Sequence, residues 1–346
     1  MLRDMTRATT ATTTASHKVS HAGTAAAEAV ALPDAAHARR MPASRLLVML
    51  AASAIVEWPP QPDSAADPAT DTSGTIEPET VHQLRIATRR LRALLDVFSP
   101  WLKPRWRRRL SHELHWLSVE MGPMRDTDVL ATTTLPALRI EHPDIDWPAV
   151  DAHVAKLRGD ARAQASRALS SERRIALHAM LRQAFGIAEN GRAEVRKAKA
   201  LRRASRTPGK RPRALAKHVH NVVRERYIAL FPDCRQLAML DTEQLHALRV
   251  RIKHARYSAE ILVPWLRKSM SRPYQDTLRT AQALLGQLND AVVAQRFCED
   301  LPLSAEQRAV LSGRLDTLIV NATSRAAHVL CHLPDAQTLE RSLRNV

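Results

Sequence analysis

His82-Gln-Leu-Arg85-Ile-Ala-Thr-Arg89-Arg90-Leu-Arg92 returns 164 residues later as His246-Ala-Leu-Arg249-Val-Arg-Ile-Lys253-His254-Ala-Arg256. The same displacement carries Pro100-Trp101-Leu102 onto Pro264-Trp265-Leu266, Gly122 onto Gly286, Asp126 onto Asp290 and Val129 onto Val293. One register kept without a gap through residue types as uncommon as Trp and His marks an internal duplication. On an α-helix, offsets of 0, 3, 7 and 10 stay close to one face. His82, Arg85, Arg89 and Arg92 hold those offsets, and so do His246, Arg249, Lys253 and Arg256. Leu84, Leu91, Leu95 and Phe98 set an apolar face beside the first stripe. Each copy therefore reads as an amphipathic helix with a cationic stripe about 15 Å long.

The rest of the chain agrees with helices. Leu, Ala and Arg dominate, only 9 of 346 residues are Gly, and the long segments repeat with helical rather than alternating periodicity. The fold class expected is all-α. A net charge of +17 calls for an acidic polymer or surface as partner. Charge alone leaves nucleic acid, an anionic membrane and an inorganic phosphate polymer open. Cys234, Cys298 and Cys331 are odd in number and form no C-x-x-C pair, which suits a reducing compartment. The apolar run from Leu46 to Val56 is shorter than the roughly 20 residues a membrane span needs. It reads as a core helix, and with no secretion signal the expected location is the cytoplasm, with no membrane partner.

Punctuation residues divide the chain. Residues 1–35, rich in Ala and Thr, are expected to be a disordered tail, and 36–346 the folded region. Helices are expected over about 36–58, 78–99 and 104–121, with more between 148 and 190. Further helices are expected over about 213–231, 242–263 and 271–300, with two more to the C-terminus. Residues 36–191 make a first half and 213–346 a second, each with about four helices on short connections that suit antiparallel packing. Between them, 192–212 form a basic connector; Arg196 to Arg213 holds nine Lys or Arg and no acid.

A row of guanidinium groups suits a chain of phosphates, whose oxygens it can bind in a bidentate manner. Same-sign rows repel, so two of them need a reason to persist. The second duplicated motif, Gly122-x-x-Arg125-Asp126 and Gly286-x-x-Asn289-Asp290, is read in two ways. The glycines would let helices approach closely while each carboxylate clamps a stripe arginine. Alternatively, His82, Asp126, His246 and Asp290 would ligate a metal, although a cation inside a cationic stripe is repelled. His112 with His115, and His328 with His332, have metal-pair spacing but no evident further ligands. Trp101 and Trp265 read as core anchors at helix ends. No nucleotide-binding glycine loop, serine-hydrolase elbow or zinc-protease motif occurs, and no cofactor is expected. Aromatic residues make up only 4% and do not interleave with the stripes, unlike single-strand nucleic-acid binders.

These strings resemble the CHAD family, the histidine-bearing α-helical domain, over about residues 36–346. The resemblance rests on the 82–92 motif, Leu-Arg-Val-Arg-Ile-Lys-His-Ala-Arg-Tyr at 248–257, Gly-Pro-Met-Arg-Asp at 122–126 and Leu-Gly-Gln-Leu-Asn-Asp at 285–290. It implies two four-helix bundles related by a pseudo-twofold axis, with a basic cleft or pore between them. It also implies binding of inorganic polyphosphate, association with polyphosphate granules and no catalysis. The matching positions are His82, Arg85, Arg89, Arg92, His246, Arg249, Lys253 and Arg256, with Arg90 and Arg125 secondary. The Glu-x-Glu-x-Lys of the triphosphate-tunnel domain carried by many relatives is absent, so a stand-alone member is expected. Two other readings stay open. One is a nucleic-acid-binding protein that uses the basic connector; the other is a metal-dependent phosphohydrolase that uses the His and Asp pairs.

Overall fold

The computed structural model describes residues 34–56, 58, 78–203, 212–265 and 268–333. The expected tail (but for its last residues), the loop after Trp58, residues 204–211 of the connector and residues 334–346, where the second of the two expected C-terminal helices falls, lie outside the described residues. Among the described residues the chain is all-α, with two isolated antiparallel bridges and no strand.

Twelve α-helices follow in order: α1 (Ala35–Arg40), α2 (Ala43–Val56), α3 (Pro78–Val97), α4 (Pro104–Glu120), α5 (Gly122–Val129), α6 (Leu135–Glu141), α7 (Trp147–Ser170), α8 (Glu172–Phe185), α9 (Pro212–Arg235), α10 (Thr242–Leu262), α11 (Lys268–Glu299) and α12 (Ala305–Leu330). Local chemistry sets the ends. Asp241 accepts from the Gln244 backbone N–H at 2.8 Å while the Gln244 side chain accepts from the Asp241 N–H at 3.0 Å, a reciprocal box that starts α10. Ser304 and Gln307 repeat the device at α12. Gly186 ends α8 at φ +67°, and a Cβ there would sit 2.4 Å from the Glu194 carbonyl oxygen, so only glycine fits.

One boundary differs from expectation. The single helix expected over 36–58 is two, because Pro42 supplies no N–H and the chain turns extended at Met41. The helical run is interrupted near Gly122-Pro123 as expected, at a turn at Met121, but the stretch beyond is helical too: Pro123 suits the first turn of α5, and α6 follows. The run from Leu46 to Val56 is buried in the core as expected: Leu47, Ala51 and Ala52 are fully enclosed. No helix among the described residues is long and apolar enough to cross a membrane.

The two halves do not keep separate cores. In the main cluster Leu47, Leu91, Phe98 and Leu114 join Tyr227, Leu248, Ile252 and Leu278. A second cluster sets Leu135, Leu138, Trp147 and Val150 against Ala294, Leu301, Leu311 and Leu315. Both bury apolar area contributed from each side of the chain midpoint, so the halves fold onto each other and α3 touches α10. Trp265 is buried as expected, whereas Trp101 is half-buried and meets the His218 ring edge-on at 5.0 Å.

The first part of the basic connector is also less exposed than its charge suggests. Ala198, Ala200 and Leu201 are fully buried, and Lys103 donates its backbone N–H to Ala200 O at 2.8 Å. Alternating small apolar residues pin this segment between the end of α8 and the Trp101 turn while the long cationic side chains reach outward.

Candidate functional site

The apolar positions Leu84, Leu91 and Leu95 of α3, and Leu248, Ile252 and Ala255 of α10, are buried. Burying those faces leaves the intervening residues to point into a shared cleft of about 1250 Å³. Arg85, Arg89 and Arg92 enter it from α3, and His246, Arg249 and Lys253 from α10. The other four expected site residues do not line it. His82, Arg90 and Arg125 are exposed elsewhere. Arg256 turns away: it donates to Glu260 at 2.6 Å and Gln282 at 2.7 Å, and its guanidinium lies 4.6 Å from the Tyr257 ring centre.

Two further walls complete the cleft. Arg107, Ser111, His115 and Ser118 line it from α4, with Gly122 at the start of α5. Their spacings of four, four, three and four keep them on one helical face. Arg226 of α9, Asn289 and Arg296 of α11, and His254 and Tyr257 of α10 also contribute. Of these last residues, only His254, Tyr257 and Asn289 fall inside the duplicated strings.

Several arginines outside the cleft have carboxylate partners. Arg158 meets Asp128 at 2.8 Å, Arg173 meets Glu113 at 2.7 Å and Arg139 meets Asp151 at 2.5 Å. Arg85, Arg89, Arg92, Arg249 and Lys253 make no such pair within 4 Å among the described residues. Arg85 donates to the Met121 carbonyl at 3.1 Å, Arg89 faces the Tyr257 ring at 5.9 Å, and the buried Nε of Arg249 has no partner.

That crowding shows in the protonation equilibria. Burial, followed by Arg249, Arg89, Arg85 and Arg92, pushes Lys253 down from 10.5 to about 8. Burial also lowers Arg85, helped by Arg89 and opposed by Asp126. Burial lowers Arg249, which Asp290 and Asp126 oppose. The two carboxylates move the other way. Loss of surrounding water raises Asp126, with Asp290 adding to it, against the pull of Arg85, Arg249 and Arg125. Asp290 is raised for the same first reason, against Arg249, Arg125 and the Asn289 side chain. His254 is lowered by desolvation and then by Arg226, Arg92 and Lys253, while Asp96 opposes. The free cleft thus holds more positive charge than its carboxylates offset, and an anion entering it relieves repulsion.

The duplicated glycines do not serve close approach: a Cβ on Gly122 or Gly286 would meet nothing within 4 Å. Asp126 and Asp290 act on the stripe arginines through space rather than as close clamps. Among the described residues no group of three or more His, Cys, Asp or Glu gathers as a metal cluster, so His82, Asp126, His246 and Asp290 do not converge on one point. The paired histidines His328 and His332 have ring centres 5.0 Å apart at the end of α12 beside the exposed Cys331, and among the described residues they do not gather into a metal group.

No curated protein matches the sequence. Among solved structures, the chain is similar to PptA from Streptomyces chartreusis, at 17% identity and TM-score 0.57 over 87% of this chain and 99% of that one. It is also similar to the crystal structure of the CHAD domain from the plant Ricinus communis, at 23% identity and TM-score 0.49, covering 88% and 93%. The CHAD domain family model matches residues 65–299, more than half of the chain and all of both stripes. The chain therefore belongs to the CHAD family, a family linked to polyphosphate binding.

Proposed function

We propose that the protein binds inorganic polyphosphate in the cleft between α3 and α10, without turning it over. The observation that carries this reading is the set of five cations, Arg85, Arg89, Arg92, Arg249 and Lys253, that share one cleft with no carboxylate partner within 4 Å among the described residues. Depressing Lys253 from 10.5 to about 8 costs the fold on the order of 3 kcal/mol below pH 8. Phosphate oxygens arriving beside the ammonium would relieve that penalty. A flexible chain with a charge at every phosphorus can follow the five cations of the cleft, whereas duplex DNA holds its phosphates on a stiff helix. Seating of a long polymer in this way would carry the protein to polyphosphate granules, where the polymer is concentrated.

The test is competition. Labelled long-chain polyphosphate is displaced by unlabelled polyphosphate, duplex DNA and RNA across a salt series. Displacement by polyphosphate alone near physiological salt is expected. Equal displacement by nucleic acid, with binding lost on modest salt addition, would overturn the reading and leave a general polycation.

A further inference from the structure

The cleft does not end at its carboxylates. Asp126, Val293 and Arg296 line it and also line a second, more open recess of about 670 Å³, between α5, α7 and α11. The two spaces adjoin at those residues, yet their chemistry differs. Eight Arg or Lys side chains line the cleft against three acidic ones. In the recess, Asp126, Asp160 and Asp300 outnumber Arg167 and Arg296, and its remaining wall includes the half-buried Leu157, Val293 and Phe297. A phosphate chain running past Asp126 would leave a cationic channel for a surface with a slight excess of carboxylate. It gains nothing by going on.

An uncharged ring does. The recess is within the size range of small-molecule sites, about 300–1000 Å³. Phe297, Leu157 and Val293 offer an apolar surface, and Asp160 and Asp300 are exposed acceptors for hydroxyl or amine hydrogens. We infer that the cleft and recess together form a site for a phosphate chain esterified to an uncharged ring, with the phosphates among the stripe cations and the ring against Phe297. Nucleoside triphosphates are the simplest members of that class. The inference rests on the reading of the cleft as a polyphosphate site and adds a second ligand class to it.

Charge alone makes the opposite prediction, which gives the test its force. Esterification removes one ionisable oxygen, so a purely cationic cleft ranks tripolyphosphate above ATP. The experiment measures displacement of labelled polyphosphate by ATP and by tripolyphosphate, without divalent metal, on the full chain. The inference expects ATP to bind about tenfold more tightly than tripolyphosphate, and Phe297→Ala to reverse that order. Asp160→Arg, at an exposed position that should not disturb folding, is expected to shift the ratio at least threefold toward tripolyphosphate. ATP equal to or weaker than tripolyphosphate on the parent chain overturns the inference, as does an ATP preference that survives both substitutions. If the labelled polymer binds and neither compound displaces it, the inference alone falls; if the labelled polymer does not bind the parent chain, the reading of the cleft fails along with it.

Discussion

The two copies of the cationic stripe carry the same residue types at the same spacings but use different parts of them. From α3 the second, third and fourth positions enter the cleft, as Arg85, Arg89 and Arg92, and His82 stays outside. From α10 the first, second and third enter, as His246, Arg249 and Lys253, and Arg256 is held by Glu260 and Gln282. The position opposite Glu260 in the first copy is Asp96, which pairs with Arg226 rather than Arg92. A single extra arginine on α9 thus frees Arg92 for the cleft, while its counterpart is neutralised. A duplicated motif sets which residue types are available, and neighbours outside the motif decide which of them reach a ligand.

The largest effect should come from positions that both windows share. Arg89→Ala with Lys253→Ala removes one central cation from each helix. At about 1.5–3 kcal/mol for each charge-assisted contact, polyphosphate affinity should fall on the order of 100-fold or more, with the helical circular dichroism unchanged. Next come the positions that distinguish the copies. Arg92→Ala should weaken polyphosphate binding about tenfold, whereas Arg256→Ala should change it less than about twofold and instead lower thermal stability modestly. Equal binding losses from the two would erase the proposed offset between the stripes.

Lys253 gives effects of opposite sign on binding and stability. Its folded-state pKa of about 8 lies below the ordinary 10.5, so the folded chain holds this proton less tightly than the unfolded chain does. The resulting penalty is complete below pH 8 and fades as pH rises toward 10.5. Lys253→Met should therefore raise the ligand-free melting temperature at pH 7 while weakening polyphosphate binding. In the parent, affinity should fall as pH climbs above 8 and the ammonium is lost; the Met variant should lack that step. The smallest effect is expected at Gly286, inside α11, where added methyl meets open space. Gly286→Ala should stabilise by about 0.5–1 kcal/mol, measured by denaturant unfolding, because close packing is not what the glycine provides.

Much of the helix layout was legible, because Pro78, Pro104 and Pro148 act on the backbone locally and mark helix starts wherever they occur. The stripes were legible because they repeat. The walls contributed by Arg107, His115 and Arg296 do not repeat: the residues 164 positions away are Ser271, Arg279 and Thr132. Nothing in one sequence separates Arg107 from Arg105, Arg108 and Arg109, which surround the same helix and do not line the cleft. The pairing of Arg256 was hidden for another reason. Glu260 lies one turn away and Gln282 on a different helix, and the competition between them and the cleft is settled by packing, which spacing does not encode. The shared core was missed for the same cause, since helical periodicity reports which face is buried and not what buries it.

The most direct test of the account is a salt titration of long-chain polyphosphate binding, with the parent and the Arg89→Ala, Lys253→Ala double variant compared side by side. The account predicts a steep linear fall of log affinity with log salt for the parent, and a slope shallower by roughly one to two for the variant, alongside its weaker binding. Identical slopes and affinities in the two proteins would contradict it, and would place the polyphosphate site somewhere other than the cleft between α3 and α10.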